Sequence, residues 1–335
     1  MRSLFVALFT LVALTSSWGQ ECNLYMGEGV RFFYSGFKDK MVIAVHGGLS
    51  SAQKAYEFCL KASNVVPEDY GVASLDFSPS PLGKQEVSEA VLLAKLLKEK
   101  GAKEIGLLGE SHGAYIALMA SLYIKPSFVV DVAGMTDLSQ MYRYFRGHPE
   151  VFKGWEATVN ATKAACESAN KTEQECLLEL SPSTYAGFVQ WPVLIIHGTR
   201  DRIIPPPQSL QFAEKLFMFK NTEVWLYLFP SGHEVDFTRE PVKTLIREFI
   251  KSGGGNGLPE GHPDQKEHKA LPAKTGAEGN RTEDSGSGAL GAVGEKQPAV
   301  EIRGDNGTGN QGEAGPANGL GKDNKGSPGG NSSLP

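Results

Sequence analysis

The sequence predicts an α/β fold in which a doubly wound, mostly parallel sheet carries a helical cap insertion. Between residues 41 and 250, short unbroken apolar runs alternate with longer segments of helical periodicity. The apolar runs lack the alternation of apolar and polar residues that marks a strand with one solvated face, so parallel strands buried on both faces are expected. About 55 mostly polar residues, from Met135 to Gln190, interrupt the pattern once.

Six apolar runs are predicted to be strands, namely Met41–Val45, Val72–Phe77, Ile105–Leu108, Phe128–Val132, Pro192–Ile196 and Val224–Phe229. Five segments with apolar residues at helical spacing are predicted to be the helices between or after them, at residues 53–62, 85–99, 113–124, 207–219 and 241–251. Ligands of such sheets bind beyond the carboxyl ends of the strands. The insertion at about 135–190 follows the fourth strand and is therefore expected to cover the ligand site as a cap.

Composition divides the chain of 335 residues into three parts. Residues 1–19 are predicted to be a secretory signal peptide, because Arg2 precedes a short apolar run at 4–14 and small residues stand at 17 and 19. Residues 20–251 have an ordinary globular composition and are expected to form one domain. Residues 252–335 hold 21 of the 39 glycines but no Phe, Trp, Tyr, Met or Cys, so a disordered tail is predicted there.

Charge and hydropathy exclude several classes of partner. The net charge of −5 gives no electrostatic basis for nucleic-acid binding. The mean hydropathy of −0.23 argues against a multi-span membrane protein, and no membrane association is expected once the signal peptide is removed.

Cysteines and glycosylation sequons agree with export. An even number of cysteines without a Cys-x-x-Cys pair is typical of disulfides in an oxidising compartment, and these are Cys22, Cys59, Cys166 and Cys176. Three pairings are open, of which Cys166 with Cys176 closes the shortest loop. Five Asn-x-Ser/Thr sequons are candidates for glycosylation, at Asn160, Asn170, Asn280, Asn306 and Asn331. We therefore expect a secreted, extracellular glycoprotein.

A Gly-x-Ser-x-Gly motif lies between the third predicted strand and the helix that follows it. Gly109-Glu110-Ser111-His112-Gly113 places Ser111 on a sharp strand-to-helix turn, where a nucleophilic serine is presented by some hydrolases. The alternative is that Ser111 only caps a helix. The motif favours the nucleophile because two further strand ends carry partners for it.

Asp201 and His233 are the predicted acid and base. Asp201 follows the fifth strand in the sequence HGTRD, and Asp131 and Asp137, near the end of the fourth strand, are its rivals. His233 follows the sixth strand, and a histidine titrates near the pH at which a general base must work. The other six histidines follow Ser111 directly, begin tight turns, or lie in the insertion or the tail: His46, His112, His148, His197, His262 and His268.

Two backbone N–H groups are expected to form an oxyanion hole. One is that of His112, the residue after the nucleophile, and the other belongs to the glycine turn after the first strand. Gly48 is the predicted second donor, with Leu49 as its rival. No metal and no cofactor are expected, because water can complete the hydrolysis of an acyl-serine.

These motifs resemble those of the prolyl-oligopeptidase-type hydrolases within the α/β-hydrolase superfamily. The resemblance covers about residues 40–250 and is carried by HGG at 46–48, GESHG at 109–113, Ser181-Pro182, Tyr185, WPVLIIHGTRD at 191–201, Ile204-Pro205, Gln208-Ser209 and FPSGH at 229–233. It implies an α/β-hydrolase fold with Ser111 as nucleophile, Asp201 as acid and His233 as base.

The sequence therefore predicts a secreted serine hydrolase that cleaves a small ester or a peptide bond. The cap is predicted to supply either a substrate pocket or its own core from five aromatic residues, Tyr142, Tyr144, Phe145, Phe152 and Trp155. The alternative function is a non-catalytic interaction protein that binds extracellular-matrix partners through the glycine-rich tail.

Overall fold

The computed structural model describes residues 21–49, 51–78, 80, 83–220 and 222–253, all within a unit that spans residues 1–269. The predicted signal peptide and all but the first two residues of the predicted tail lie outside the described residues. So do the sequons at Asn280, Asn306 and Asn331. No helix within the described ranges is long and apolar enough to cross a membrane.

The described strands form one eight-stranded sheet. They are β1 (Asn23–Gly27), β2 (Val30–Tyr34), β3 (Lys40–Val45), β4 (Tyr70–Leu75), β5 (Glu104–Glu110), β6 (Val129–Val132), β7 (Val193–Gly198) and β8 (Val224–Phe229). Their order is β1-β2-β4-β3-β5-β6-β7-β8, and β4, β3, β5, β6, β7 and β8 pair in parallel. The predicted doubly wound, mostly parallel sheet is confirmed.

The direction of winding reverses between β3 and β5. The chain passes from β3 outward to β4 and then returns to β5 on the other side of β3. The loops after β3 and β5 therefore diverge at their carboxyl ends, which opens the crevice where such folds bind ligands. The turn at 46–48 and Ser111 lie at these two strand ends.

Two strands precede the predicted first strand, and the sequence analysis did not identify them. β1 and β2 form an antiparallel hairpin, and β2 pairs antiparallel with β4. Glu28 and Gly29 have positive φ values of 54° and 76° and form the turn between them. β1 is an edge strand with mostly exposed side chains, so it lacks the unbroken apolar run that revealed the central strands. A disulfide joins Cys22, just before β1, to Cys59 on the first helix.

Helices cover both faces of the sheet. They are α1 (Ala52–Ser63), α2 (Lys84–Glu99), α3 (His112–Ile124), α4 (Leu138–Gly147), α5 (Pro149–Phe152), α6 (Glu156–Ser168), α7 (Glu173–Glu179), α8 (Pro207–Phe219) and α9 (Val242–Lys251). Residues of α2, α3 and α8 share one apolar core with Ile43 of β3, whereas α1 and α9 share the other with Val42. Successive residues of β3 thus face opposite cores, which explains why its sequence is apolar without alternation.

The insertion between β6 and β7 is helical, as predicted. It contains α4 to α7 and a 3-10 helix, Pro182–Phe188. A disulfide between Cys166 and Cys176 joins α6 to α7. α7 begins at a capping box in which Thr172 and Glu175 each bond to the other's backbone N–H, so this short helix has a defined start.

Candidate active site

Ser111 occupies a strained turn between β5 and α3. Its φ of 57° and ψ of −120° lie outside the regions that side-chain-bearing residues ordinarily adopt. Two glycines make the turn possible. A Cβ at Gly109 would lie 2.4 Å from Cα of Ala114, and one at Gly113 would lie 2.0 Å from the carbonyl oxygen of Val45. The glycines of the motif are therefore required by close packing of backbone against backbone.

The structure brings together the three predicted catalytic residues from the ends of three strands. His233 Nε2 lies 2.9 Å from Ser111 Oγ, and His233 Nδ1 lies 2.7 Å from Asp201 Oδ2. The Asp201 side chain is fully buried, whereas that of His233 is 17% exposed. Because a carboxylate only accepts hydrogen bonds, Nδ1 of His233 carries the proton and Nε2 is free to accept one from Ser111.

Asp201 is held as a charged group by several donors. Its Oδ1 accepts the backbone N–H groups of Ile203 and Ile204, at 2.8 and 3.0 Å. Burial alone would raise the pKa of this carboxyl, but the contacts with His197 and His233 more than offset that effect and hold the pKa well below its usual range. The Asp201 side chain is therefore ionised at neutral pH.

His197 contacts the same carboxylate, a relationship that the sequence analysis did not predict. Its Nε2 lies 3.2 Å from Asp201 Oδ2 and 2.9 Å from the carbonyl oxygen of Ile204. Its Nδ1 lies 2.7 Å from Oγ of Ser209 on α8. The ring and Ser209 are both fully buried. The HG sequence before Asp201 had indicated only a turn, but the ring that it introduces faces the acid.

Neither rival acid contacts His233. Asp131 is fully buried, and its Oδ1 accepts the backbone N–H of Gly134 at 2.8 Å. Burial raises the pKa of Asp131 to about 6. Asp137 caps the start of α4, where its Oδ1 accepts the backbone N–H of Gln140 at 3.0 Å. Asp137 thus has a helix-capping role and Asp131 lies in the core.

The loop after β3 lies against the turn that carries Ser111. A cleft of about 390 Å³ is lined by His46, Gly47 and Gly48 of this loop together with Ser111 and His233. Gly48 has a φ of 72°, a conformation that favours glycine. Leu49, the rival donor, is half exposed and is absent from the described lining of the cleft.

The side chain of His112 turns away from Ser111 and packs among aromatic rings. Its ring centroid lies 5.7 Å from those of both Tyr115 and Trp155. Its Nε2 lies 3.9 Å from Oε1 of Glu86, a buried side chain that also accepts the backbone N–H of Ser80. Burial alone would raise the pKa of Glu86, but His112 and Ser80 together lower it below its usual range. These contacts of its side chain hold His112, the residue after Ser111, in place.

The five aromatic residues of the cap divide between the two predicted roles. Tyr142 and Phe145 are buried in the core that the cap shares with α2 and α3, and Tyr144 and Phe152 pack at its edge. Trp155 alone of the five lines the cleft at Ser111. Two predicted glycosylation sites also lie in this region, and the structure leaves Asn160 and Asn170 exposed.

No group of three or more His, Cys, Asp or Glu side chains able to hold a metal ion occurs in the part of the chain that the structure describes. The polar groups around Ser111 are instead hydrogen-bonded to one another, as the distances above describe.

One family model and two curated proteins are similar in sequence to this chain. The BD-FAE family model matches residues 122–216. Dipeptidyl peptidase family member 6 of Caenorhabditis elegans is 25% identical over 264 residues, which cover 72% of this chain and 34% of the relative. The acylamino-acid-releasing enzyme of Rattus norvegicus is 25% identical over 178 residues, or 49% of this chain and 22% of the relative. The chain thus spans about a third or less of the length of these relatives.

Solved structures share the fold. A puromycin-hydrolysing peptidase of Mycobacterium tuberculosis aligns with a TM-score of 0.55 and 18% identity, covering 67% of this chain and 37% of that one. An esterase of Pyrococcus furiosus aligns with a TM-score of 0.53 and 20% identity, covering 70% and 91%. The chain has the α/β-hydrolase fold, and the predicted resemblance to prolyl-oligopeptidase-type hydrolases is confirmed.

Proposed function

We propose that this protein is a serine hydrolase that cleaves an ester or a peptide bond through an acyl-enzyme. The observation that carries the proposal is the position of His233 between Ser111 Oγ, at 2.9 Å, and Asp201 Oδ2, at 2.7 Å. Both distances are those of hydrogen bonds. The three side chains come from three separate loops, each of which follows a strand.

Ser111 is the nucleophile in this mechanism. His233 Nε2 takes the proton of the Ser111 hydroxyl as Oγ attacks the acyl carbonyl, which gives a tetrahedral intermediate and an imidazolium. The bond to the leaving group then breaks, and His233 returns the proton to the departing oxygen or nitrogen. Water, deprotonated by the same nitrogen, attacks the acyl-serine. The bond between the acyl carbon and Ser111 Oγ then breaks, and His233 returns the proton to Oγ as the acid product leaves.

Asp201 and the two backbone donors stabilise charge in these steps. The ionised carboxylate fixes the His233 tautomer and stabilises the imidazolium, which its low pKa allows. The backbone N–H groups of His112 and Gly48 are the proposed donors to the oxyanion. Both lie beside Ser111, at the strand ends where the winding of the sheet reverses. Loop 46–48 is close to the nucleophile, since a Cβ at Gly47 would lie 3.1 Å from that of Ser111.

Esters and peptides remain the two substrate classes. The structural relatives include an enzyme named for each, an esterase and a peptidase. The cleft has both apolar and charged walls, among them Phe58, Trp155, Lys54 and Glu57. We expect a small acyl group against Trp155, because this ring reaches the cleft from the cap.

An extracellular setting is also part of the proposal. Two disulfides, with no free cysteine among the described residues, are typical of proteins exposed to an oxidising compartment. The exposed positions of Asn160 and Asn170 support their glycosylation. Intact-mass measurement of the secreted chain before and after removal of N-linked glycans tests both points, and an unmodified mass would contradict the glycosylation.

Covalent labelling with a fluorophosphonate tests the proposed function against the non-catalytic alternative. The secreted chain should gain the mass of one phosphonyl group, and the label should map to the peptide that contains Ser111. A chain that remains unlabelled while folded would overturn the proposed hydrolase and favour an interaction protein.

A further inference from the structure

A groove larger than the catalytic cleft lies on the outer side of α2 and α3. Its volume is about 1010 Å³, and the segment that leads from the cap into β7 forms its third wall. Ser111, Asp201 and His233 are all absent from its lining. The volume lies at the upper end of the range of small-molecule sites in proteins.

Apolar side chains form most of the walls. α2 contributes Val87, Val91 and Leu92, and α3 contributes Met119, Leu122 and Tyr123. The third wall presents Leu180, Tyr185, Phe188 and Trp191. Two of these rings are strongly exposed, with Phe188 at 71% and Tyr123 at 68%. Large exposed apolar patches are typical of binding sites and are rare on the rest of a protein surface.

The groove follows two helices, α2 and α3, that run side by side in the same direction. A Cβ at Gly83, which precedes α2, would lie 2.8 Å from the ring of Tyr115 in the first turn of α3. At the other end, Lys98 of α2 and Ile124 of α3 line one adjoining hollow. The groove face of α2 runs from Lys84 to Lys95, and the helical rise between these two residues is roughly 16 Å.

Lys84 lines the amino-terminal end of the groove, but most of its positive charge lies at the carboxyl-terminal end of the two helices. Lys95 and Lys125 line the groove there, and Lys98 lines the adjoining hollow. Glu99 lines the same hollow and contacts Lys95 at 3.9 Å, with both side chains more than half exposed. An exposed pair of this kind neutralises little. Glu179, the acidic residue of the third wall, forms an exposed pair with Lys171, so the described lining of the groove holds three lysines and one carboxylate.

We propose that this groove binds a long-chain fatty acid. The hydrocarbon chain lies along the apolar walls between α2, α3 and Phe188, and the carboxylate lies between Lys95 and Lys125. The apolar walls and the two lysines at the carboxyl-terminal end match a molecule that has an apolar tail and a single negative head. The site is separate from the catalytic cleft, so the inference does not rest on the proposed hydrolase function.

Calorimetric titration of the secreted chain with tetradecanoate below its micelle concentration tests the proposal. One molecule should bind per chain. Dodecanoate should bind about tenfold more weakly, because two buried CH₂ groups are lost. Tetradecyltrimethylammonium, with the same tail and the opposite charge, should bind at least about tenfold more weakly than tetradecanoate.

Substitutions locate the site. Val91→Glu and the double change Lys95→Glu/Lys125→Glu should each weaken tetradecanoate binding about tenfold or more. Tyr123→Glu, at an exposed wall position, decides the matter if Val91→Glu lowers the melting temperature. Ile203→Glu is the matched control, because Ile203 is an exposed apolar residue that lines the catalytic cleft instead. Lys153→Glu/Lys163→Glu in the cap controls for net charge.

Three results would overturn the proposal. They are the absence of binding, equal affinity for the anionic and cationic amphiphiles, and loss of binding in Ile203→Glu with full binding in Tyr123→Glu. A chain that is dimeric in solution and becomes monomeric in Tyr123→Glu would show instead that a second copy covers the groove. Hydrolase activity enters none of these readouts.

Discussion

His197 Nε2 lies 3.2 Å from Oδ2 of Asp201, the oxygen that also contacts the base. The ring of His197 is oriented from its far side, where Ser209 Oγ lies 2.7 Å from Nδ1. If the Ser209 hydroxyl donates to Nδ1, the proton of His197 must reside on Nε2 and be shared between Asp201 and the carbonyl of Ile204. A buried serine on α8 thus sets the hydrogen bonding of the acid.

Ser209→Ala should lower kcat about five- to tenfold with little change in KM, because Nδ1 of His197 loses the donor that fixes its tautomer. The comparison is steady-state hydrolysis of a p-nitrophenyl ester. Ser209→Thr should retain most of the activity, since it keeps the hydroxyl. Ser63→Ala is the matched control, because Ser63 is also a buried helical serine but its hydroxyl has no partner among the described residues. Equal rates for Ser209→Ala and wild type would show that the contact is dispensable.

Asp201→Asn should lower kcat by about 10⁴, the magnitude found for the equivalent change in serine proteases. The amide that replaces the carboxylate has one acceptor oxygen, whereas both oxygens of Asp201 accept hydrogen bonds. The wrong tautomer of His233 is therefore favoured. Asp137→Asn is the control, since Asp137 caps α4 and its replacement by another good capping residue should leave kcat unchanged. A larger loss in Asp137→Asn than in Asp201→Asn would show that the acid has been misassigned.

The central sheet and the three candidate catalytic residues could be predicted from sequence because local signals mark them. Parallel strands covered on both faces are continuous apolar runs, and the reactive residues follow those runs directly. β1 and β2 could not be recognised in this way. β1 lies at the sheet edge with exposed side chains, so its residues carry no burial pattern.

Contacts that depend on the tertiary fold also could not be predicted. The pairing of His197 with Asp201 depends on how the loop after β7 folds back, and the contact of Glu86 with His112 joins α2 to α3. Neither has a sequence spacing that reveals it. The cap shows the same limit, since its aromatic residues share one composition but only Trp155 reaches the cleft.

Asp131→Asn should remove a pH-dependent loss of stability. Burial raises the pKa of Asp131 from 3.8 to about 6, so the folded state binds this proton more tightly than the unfolded state does. The contribution of Asp131 to the free energy of unfolding should therefore fall as pH rises from about 4 to about 6, by on the order of 3 kcal/mol.

Urea unfolding at pH 4, 5, 6 and 7 measures that difference. The free energy of unfolding of Asp131→Asn relative to wild type should increase over this range, because Asn keeps the acceptor for Gly134 without the buried charge. Asp236→Asn, an exposed control on another loop, should give no such increase. A constant difference between Asp131→Asn and wild type would contradict a proton bound at this carboxyl.

The two disulfides should contribute unequally to stability. The Cys22–Cys59 bond spans 37 residues and the Cys166–Cys176 bond spans 10. Loop-closure entropy gives about 4 and about 3 kcal/mol respectively. Unfolding of the paired alanine variants, Cys22→Ala/Cys59→Ala and Cys166→Ala/Cys176→Ala, tests the order. A greater loss from the second pair would contradict an order set by loop-closure entropy.

Hydrolysis of p-nitrophenyl butyrate by Ser111→Ala is the decisive test of Ser111 as the nucleophile. We expect kcat/KM to fall by about 10⁴–10⁶ while the melting temperature changes little. Ser121→Ala, which removes a buried hydroxyl from the same helix, should retain the wild-type rate. Hydrolysis by Ser111→Ala at the wild-type rate would contradict the assignment of Ser111 as the nucleophile.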